Sequence, residues 1–156
     1  MAQTGVRGIY LILEQLKSLL LSDDNVNTVT TGDITEVALD KKTIYPLSHI
    51  ILNNVTSEEN ILTFNVSVLS MDIVDENKDE VTDKFVGNNN EQDILNTQLA
   101  VLNKVIQKMR IGSIHLDGYQ VNNTASLEPF FDRFEDRVAG WTATFDIAIM
   151  NDIDIC

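Results

Sequence analysis

Apolar residues repeat at helical spacing in two parts of the chain and alternate with polar residues in two others. Near the start, an apolar residue recurs every three or four positions, and this spacing predicts a helix over residues 5–21. The stripe consists of Ile9, Ile12, Leu13, Leu16, Leu19 and Leu20. A stripe of this width favours burial against a sheet.

A second helix is predicted to begin after Asn90, which can serve as its N-cap, and to end near Gly112, a residue suited to a helix C-terminus. Its first turn is acidic and its last turns are basic, an order that matches the helix dipole. The stripe expected to face the core consists of Leu95, Leu99, Leu102, Ile106 and Met109.

The clearest strands are predicted over residues 61–74 and 141–149, where side chains alternate between apolar and polar. In the first, Leu62, Phe64, Val66 and Val68 share a face. In the second, the apolar face consists of Trp141, Ala143, Phe145, Ile147 and Ile149. Shorter strands are predicted over residues 26–31, 34–39, 47–52, 114–116 and 127–134, although residues 132–138 also have helical character.

Two amphipathic helices and several one-sided strands indicate the fold class. The sequence predicts an α+β fold, a mainly antiparallel sheet with both helices packed on one face. With 156 residues, the chain is predicted to form a single domain over residues 1–156. An acidic loop or hairpin is expected to extend from it around residues 75–90.

Charge and cysteine content exclude several function classes. There are 11 basic and 24 acidic residues, which gives a formal charge of −13, so tight non-specific binding to nucleic acid is excluded. The one cysteine, Cys156, cannot form a disulfide scaffold or a Cys-rich zinc site. The apolar stretch of residues 9–21 is too short and too polar to span a membrane, and we expect a soluble intracellular product.

No pattern for catalysis or for a cofactor is found. His49 and His115 lie in apolar surroundings without the neighbours of a metal site or nucleophile dyad, so both are interpreted as strand histidines satisfied by packing and hydrogen bonds. The acidic segment that begins at Asp75 lacks the glycine at position six and the glutamate at position twelve of a calcium-binding EF-hand loop. We therefore predict no catalytic, cofactor or metal residues and interpret the segment as a solvated charged surface.

Aromatic and charged residues are concentrated in residues 127–141. The segment includes Phe130, Phe131, Phe134 and Trp141, with Arg133 and Arg137 between acidic neighbours. It is interpreted as a core cluster with local ion pairs or as a subunit interface, because Phe, Trp and Arg are enriched at interfaces. The two interpretations are compatible.

This segment also carries a resemblance to a known family. The run from Glu128 to Arg137, then Ala139-Gly140-Trp141 and the closing Asn151-Asp152-Ile153-Asp154-Ile155-Cys156, resembles the C-terminal part of the tail terminator, tail-completion and neck proteins of tailed bacteriophages, including phages of Bacteroidetes. The order of helices and strands fits the same family over most of the chain. Motif-level likeness covers about the last 30 residues.

The resemblance implies a structural protein of the virion, assembled in the host cytoplasm, without enzyme activity or cofactor. Its subunits would form a hexameric or dodecameric ring that joins the head connector to the tail. The partners implied are further copies of the chain and the adjoining connector and tail proteins, with no membrane. DNA would pass through the ring without adhering, and the net negative charge fits such a channel.

Two sets of residues are assigned to this role. Subunit contacts are expected from the first helix and from Phe130, Phe131, Arg133, Phe134, Arg137 and Trp141. A lumen or inter-ring surface is expected from Asp75, Glu76, Asp79, Glu80 and Asp83. Two other functions stay open: a small cytoplasmic α+β binding or adaptor module, and a metal-dependent hydrolase that uses the acidic residues.

Overall fold

A computed structural model describes residues 4–34, 44–75, 85, 90–111, 119–121, 124–133 and 138–150. They form an α+β fold with two helices and a five-stranded, mostly antiparallel sheet, which confirms the predicted fold class. In chain order the elements are α1 (Thr4–Leu21), β1 (Thr28–Thr31), β2 (Leu47–Ser57), β3 (Ile61–Ile73), α2 (Glu91–Arg110), β4 (Ser126–Arg133) and β5 (Val138–Met150).

The strands lie in the order β1-β2-β3-β5-β4. Of the neighbouring strands in the described part of the sheet, only β1 and β2 pair in parallel. The centre of the sheet is the antiparallel pair of β3 and β5, which is continuous from Ile61 opposite Met150 to Ile73 opposite Val138. These are the two strands with the clearest alternation in the sequence, and both are confirmed.

One face of the sheet, called here the helix-covered face, packs against α1 and α2. On β3 it presents Phe64, Val66 and Val68, all buried, as the alternation predicts. They lie opposite Ile147, Phe145 and Ala143 of β5, which are also buried. The two helices contribute buried residues to the same cluster, so both lie on this face.

Helix α1 lies close to the sheet at Gly8. A Cβ atom on Gly8 would lie 2.2 Å from the Cδ1 atom of Ile149 and 3.6 Å from the ring of Phe64. Further along the helix, Ile12, Leu16 and Leu20 are buried. A glycine at position 8 therefore lets the helix approach β3 and β5 closely.

Helix α2 begins after Asn90 as predicted, and the Ile94 N–H group donates to the Asn90 carbonyl. Asn90 is the N-cap residue as predicted, but its side chain makes no hydrogen bond to the helix, because its Oδ1 atom accepts from the backbone N–H of Asp75 instead. The buried face consists of Ile94, Gln98, Val101, Leu102, Val105, Ile106 and Met109. The predicted stripe is thus displaced toward Gln98, and Leu95 and Leu99 are only partly buried.

The opposite face of the sheet carries a second, smaller apolar cluster. It consists of Tyr45, Leu47, Leu69, Met71, Phe130 and Val138, with Ile34, Ile44, Ile51 and Ile73 packed against it. The cluster lies toward the end of the sheet where β2 begins and β3 ends. The face is therefore only partly covered by apolar packing.

The shorter predicted strands differ from the structure in extent. The strand predicted over residues 47–52 continues to Ser57, and that predicted over 26–31 is confined to Thr28–Thr31. The strand predicted over 127–134 is found as Ser126–Arg133. Ile34 lies in a 3₁₀ turn and not in a strand, while residues 35–39, the strand predicted over 114–116 and Gly112 lie outside the described residues.

Candidate interaction surfaces

The described members of the six residues expected at a subunit interface occupy different environments. Phe130 is buried in the second apolar cluster, and the adjacent Phe131 is half exposed on β4. Trp141 packs against the main core and donates from Nε1 to the Leu95 carbonyl at 2.8 Å. The side chain of Arg133, and the whole of Phe134 and Arg137, lie outside the described residues. Of the described members, Phe131 is the one that offers an exposed ring.

Strand β4 lies at one edge of the sheet, beside β5. Its exposed residues include Glu128 and Pro129, and its pairing with β5 is irregular between Phe130 and Arg133. Proline, a charge and a bulge are three features that protect an edge strand against pairing with another strand. Contacts at this edge would therefore involve side chains such as Phe131, and not backbone hydrogen bonds.

The other edge of the sheet has two parts. Strand β1 pairs with β2 from Leu47 to Ile50 and ends there. Beyond it, residues 52–57 of β2 are exposed, and they include two apolar side chains, Leu52 and Val55, with 37% and 43% of their surface accessible. Both belong to the helix-covered face, because they lie opposite Val66 and Phe64.

The outward surface of α1 is apolar near its N-terminal end. Tyr10 is 64% exposed, and its neighbours Ile9 and Leu11 are 38% and 37% exposed. These three adjacent apolar residues lie on the solvent side of an amphipathic helix, so burial within the subunit does not account for them. In the sequence, this surface is indicated only by the unusual width of the apolar stripe on the first helix.

The partly uncovered face of the sheet carries a row of hydrogen-bonded polar side chains. Asn53 donates from Nδ2 to Asn65 Oδ1 at 2.9 Å, and Asn65 donates in turn to Asp146 Oδ1 at 2.8 Å. Beside them, the hydroxyls of Ser67 and Thr144 lie 3.1 Å apart. The row links β2, β3 and β5 across the sheet, as cross-strand pairs do on a solvated face.

A buried polar cluster lies between α2 and the sheet. The Ser70 hydroxyl donates to Oε1 of Gln98, and the Ser48 hydroxyl lies 3.4 Å from that of Ser70. All three residues are at most 1% exposed. None of them is ionisable, and among the described residues these side-chain hydrogen bonds join the cluster only to itself, so the cluster positions α2 on the sheet.

His49 joins β1 to β2 and is fully buried. Its Nε2 atom lies 2.9 Å from the Gly32 carbonyl, which can only accept, so Nε2 carries the proton. Nδ1, 2.7 Å from the Thr30 hydroxyl, then accepts from it in the neutral ring. This confirms the interpretation of His49 as a strand histidine satisfied by hydrogen bonds, whereas His115 lies outside the described residues.

The environment of His49 predicts a loss of stability in mild acid. Burial lowers the pKa of His49 below its ordinary value of 6.5, although the Gly32 carbonyl and Asp33 act in the opposite direction. As the pH falls below about 6.5, the unfolded chain binds a proton at this position more readily than the folded chain, so the free energy of unfolding decreases. A single titrating group changes the free energy of unfolding by at most about 1.4 kcal/mol per pH unit, so the contribution of His49 is smaller than this.

The His49→Gln variant isolates this effect, because its side chain is neutral throughout. Urea denaturation at several pH values between 7.5 and 5.5 is expected to show that the wild type loses more stability than the variant. Parallel pH profiles would contradict the assignment of acid sensitivity to His49.

Two hydrogen bonds join Asp75 and Asn90, the residues that flank the acidic segment in the sequence. The Asp75 N–H group donates to Asn90 Oδ1 at 2.7 Å, and the Asn90 N–H group donates to the Asp75 carbonyl at 3.3 Å.

Near this point, burial, together with the charge of Asp75, raises the pKa of Asp72, although a hydrogen bond from the Ile73 N–H opposes the shift. Asp75 is exposed, while Glu76, Asp79, Glu80 and Asp83 lie outside the described residues.

Within the described part of the chain, no group of three or more His, Cys, Asp or Glu residues could hold a metal ion. No helix among the described residues is both long and apolar enough to cross a membrane. Exposed apolar side chains are found on α1, at Phe131 on β4 and on the outer half of β2.

The comparisons with known proteins give no further assignment. No family model matches the chain, and no curated protein matches its sequence.

Proposed function

We propose that this protein is a structural subunit of a tailed bacteriophage particle. In this role it is a tail terminator or neck protein that forms a closed ring, joins the head connector to the tail and lines the DNA channel. The observation that carries the proposal is the exposure of aromatic side chains on two separate elements, Tyr10 on α1 and Phe131 on β4. A ring requires contact between two different surfaces of each subunit, because each copy meets its neighbours head to tail.

The charge of the chain and the resemblance of its last 30 residues to phage neck and tail-completion proteins also support the proposal. A formal charge of −13 repels a phosphate backbone, which suits a channel through which DNA passes. The acidic segment that follows Asp75 lies in the sequence between β3 and α2, and the described residues on either side of it, Asp75 and Asn90, hydrogen-bond to each other. In the proposed ring this segment faces the channel or an adjoining ring.

The test combines the composition of particles with the oligomeric state of the purified protein. Mass spectrometry of purified phage particles is expected to detect the chain, and light scattering at high protein concentration is expected to show a hexamer or dodecamer. The variants Tyr10→Glu and Phe131→Glu are expected to raise the concentration needed for assembly roughly tenfold or more, the usual effect of losing a central interface aromatic.

Asn103→Glu is the matched control, since Asn103 is exposed on the outward side of α2. It adds the same charge without removing an apolar side chain, and assembly is expected to stay unchanged. A strictly monomeric protein that is absent from particles would overturn the proposal and favour the adaptor module.

A further inference from the structure

Among the described residues, no strand pairs with the outer edge of β2 beyond Ile50. Residues 52–57 pair on one side with β3, and β1 occupies the other side only as far as Ile50. On that other side no described residue donates to or accepts from the backbone beyond Ile50. All six side chains of this stretch are exposed.

This edge lacks the protection that β4 has. Residues 52–57 read Leu-Asn-Asn-Val-Thr-Ser and contain neither a charge nor a proline. The register shift between Leu52 and Asn54 affects a single position, and regular pairing with β3 resumes from Asn54 to Ser57. An exposed edge with apolar side chains and free backbone groups is a template for one further strand.

The chain itself contains a suitable strand sequence directly after β5. Residues 152–155 read Asp-Ile-Asp-Ile, a strict alternation that favours an extended strand with one apolar side. The edge of β2 alternates in a matching way. Val55 lies on the helix-covered face, whereas Asn54 and Thr56 lie on the other face and offer amide and hydroxyl donors to aspartate.

Geometry favours the edge of another subunit over the edge of the same one. Met150, the last residue of β5, pairs with Ile61, and β5 runs in the same direction as β2. A strand added outside β2 would lie three strand spacings from β5, about 14 Å away. Residue 151, which alone precedes the alternating segment, spans about 3.5 Å. Residues 152–155 are therefore too close in sequence to the end of β5 to add to their own β2, so the edge open to them as a strand is that of another copy.

We propose that residues 152–155 of one copy add as a strand to residues 52–57 of a second copy, extending its sheet. The two isoleucines pack beside Leu52 and Val55, and the aspartates lie beside Asn54 and Thr56. The proposal rests on the proposed function in one respect, namely that copies of the chain assemble with one another.

Cys156 allows a direct test, because it is the only cysteine and lies next to the proposed strand. Asn54→Cys and Thr56→Cys are each made together with Cys156→Ser, so that every copy carries one thiol. Each variant is mixed with a tagged wild-type copy under the conditions in which assembly is seen, in solution or in particles, and oxidised. A disulfide between copies requires Cα atoms within about 7 Å of each other.

Glu128→Cys with Cys156→Ser is the matched control, because Glu128 is an exposed strand residue on the opposite edge of the sheet. The expected result is a cross-linked pair with position 54 or 56 at least about tenfold more abundant than with position 128, as proximity within one assembly produces. Val55→Lys, which adds a protecting charge to the β2 edge, is expected to abolish the difference.

The outcomes separate this inference from the proposed function. If the copies assemble but positions 54 and 56 cross-link no better than position 128, the strand addition is wrong and the ring proposal is unaffected. If the chain is monomeric at every concentration and absent from particles, both proposals fail. A cross-link that forms at position 54 or 56 and persists in Val55→Lys would also overturn the strand addition.

Discussion

The Gly140→Ala variant is expected to lose about 3 kcal/mol or more of its free energy of unfolding, or to fail to fold. A Cβ atom at Gly140 would lie 2.0 Å from the carbonyl oxygen of Ser70 and 2.8 Å from the Cα atom of Met71. Both atoms belong to the backbone of β3, which cannot move aside as the end of a side chain can. The central β3–β5 pair would have to separate at this point, and urea denaturation measures the loss.

Two other glycines provide graded controls. At Gly8 the new atom would meet the Cδ1 methyl of Ile149, the far end of a side chain that can rotate. At Gly32 nothing lies within 4 Å, but φ is +102°, so alanine introduces backbone strain of about 1–2 kcal/mol and no clash. The Gly140→Ala loss is expected to exceed both. A Gly140→Ala protein within 1 kcal/mol of the wild type would contradict the close approach of the two strands.

The centre of the fold could be predicted from the sequence because local pattern and tertiary environment agree there. Strand β3 alternates around Phe64, Val66 and Val68, and that alternation is enough to identify its buried face. The outer part of β2 could not be predicted in this way. Residues 53–57 read Asn-Asn-Val-Thr-Ser, and they are extended because β3 pairs with them, which is a contact distant in sequence.

The buried face of α2 shows a different reason for error. Counting apolar residues excludes Gln98 from the core, yet it is 1% exposed because Ser70 on β3 hydrogen-bonds to it. A polar partner on another element is invisible in the pattern of a single helix. The prediction therefore included Leu95 and Leu99 in the stripe, each one residue away from the buried Ile94 and Gln98.

The burial of the residues expected at an interface could be predicted only in part for a similar reason. Phe130 and Phe131 are adjacent, and a strand period of two directs neighbouring side chains to opposite sides. The sequence does not say which side is covered by other parts of the chain. In the structure the cluster that includes Tyr45 and Leu69 buries Phe130, and Phe131 is left half exposed.

The second large effect on stability is expected at Phe64, a buried phenylalanine, and Phe131, which is half exposed, provides the comparison. Phe64 is 2% exposed, lies on β3 beneath the point where α1 approaches at Gly8, and is among the largest fully buried side chains. Phe64→Ala leaves a cavity under the helix and is expected to cost about 3–5 kcal/mol of unfolding free energy. The loss can be measured by urea denaturation of the monomer at low protein concentration.

Phe131→Ala is the matched variant, because it removes the same atoms from a half-exposed position on β4. In the isolated subunit it is expected to cost less than about 1 kcal/mol, since half of the ring is already in contact with water. Its effect is expected on assembly, where it should weaken association although the subunit stays folded. A large loss of monomer stability from Phe131→Ala, with unchanged assembly, would place Phe131 in the core of the subunit and remove β4 from the proposed contact between copies.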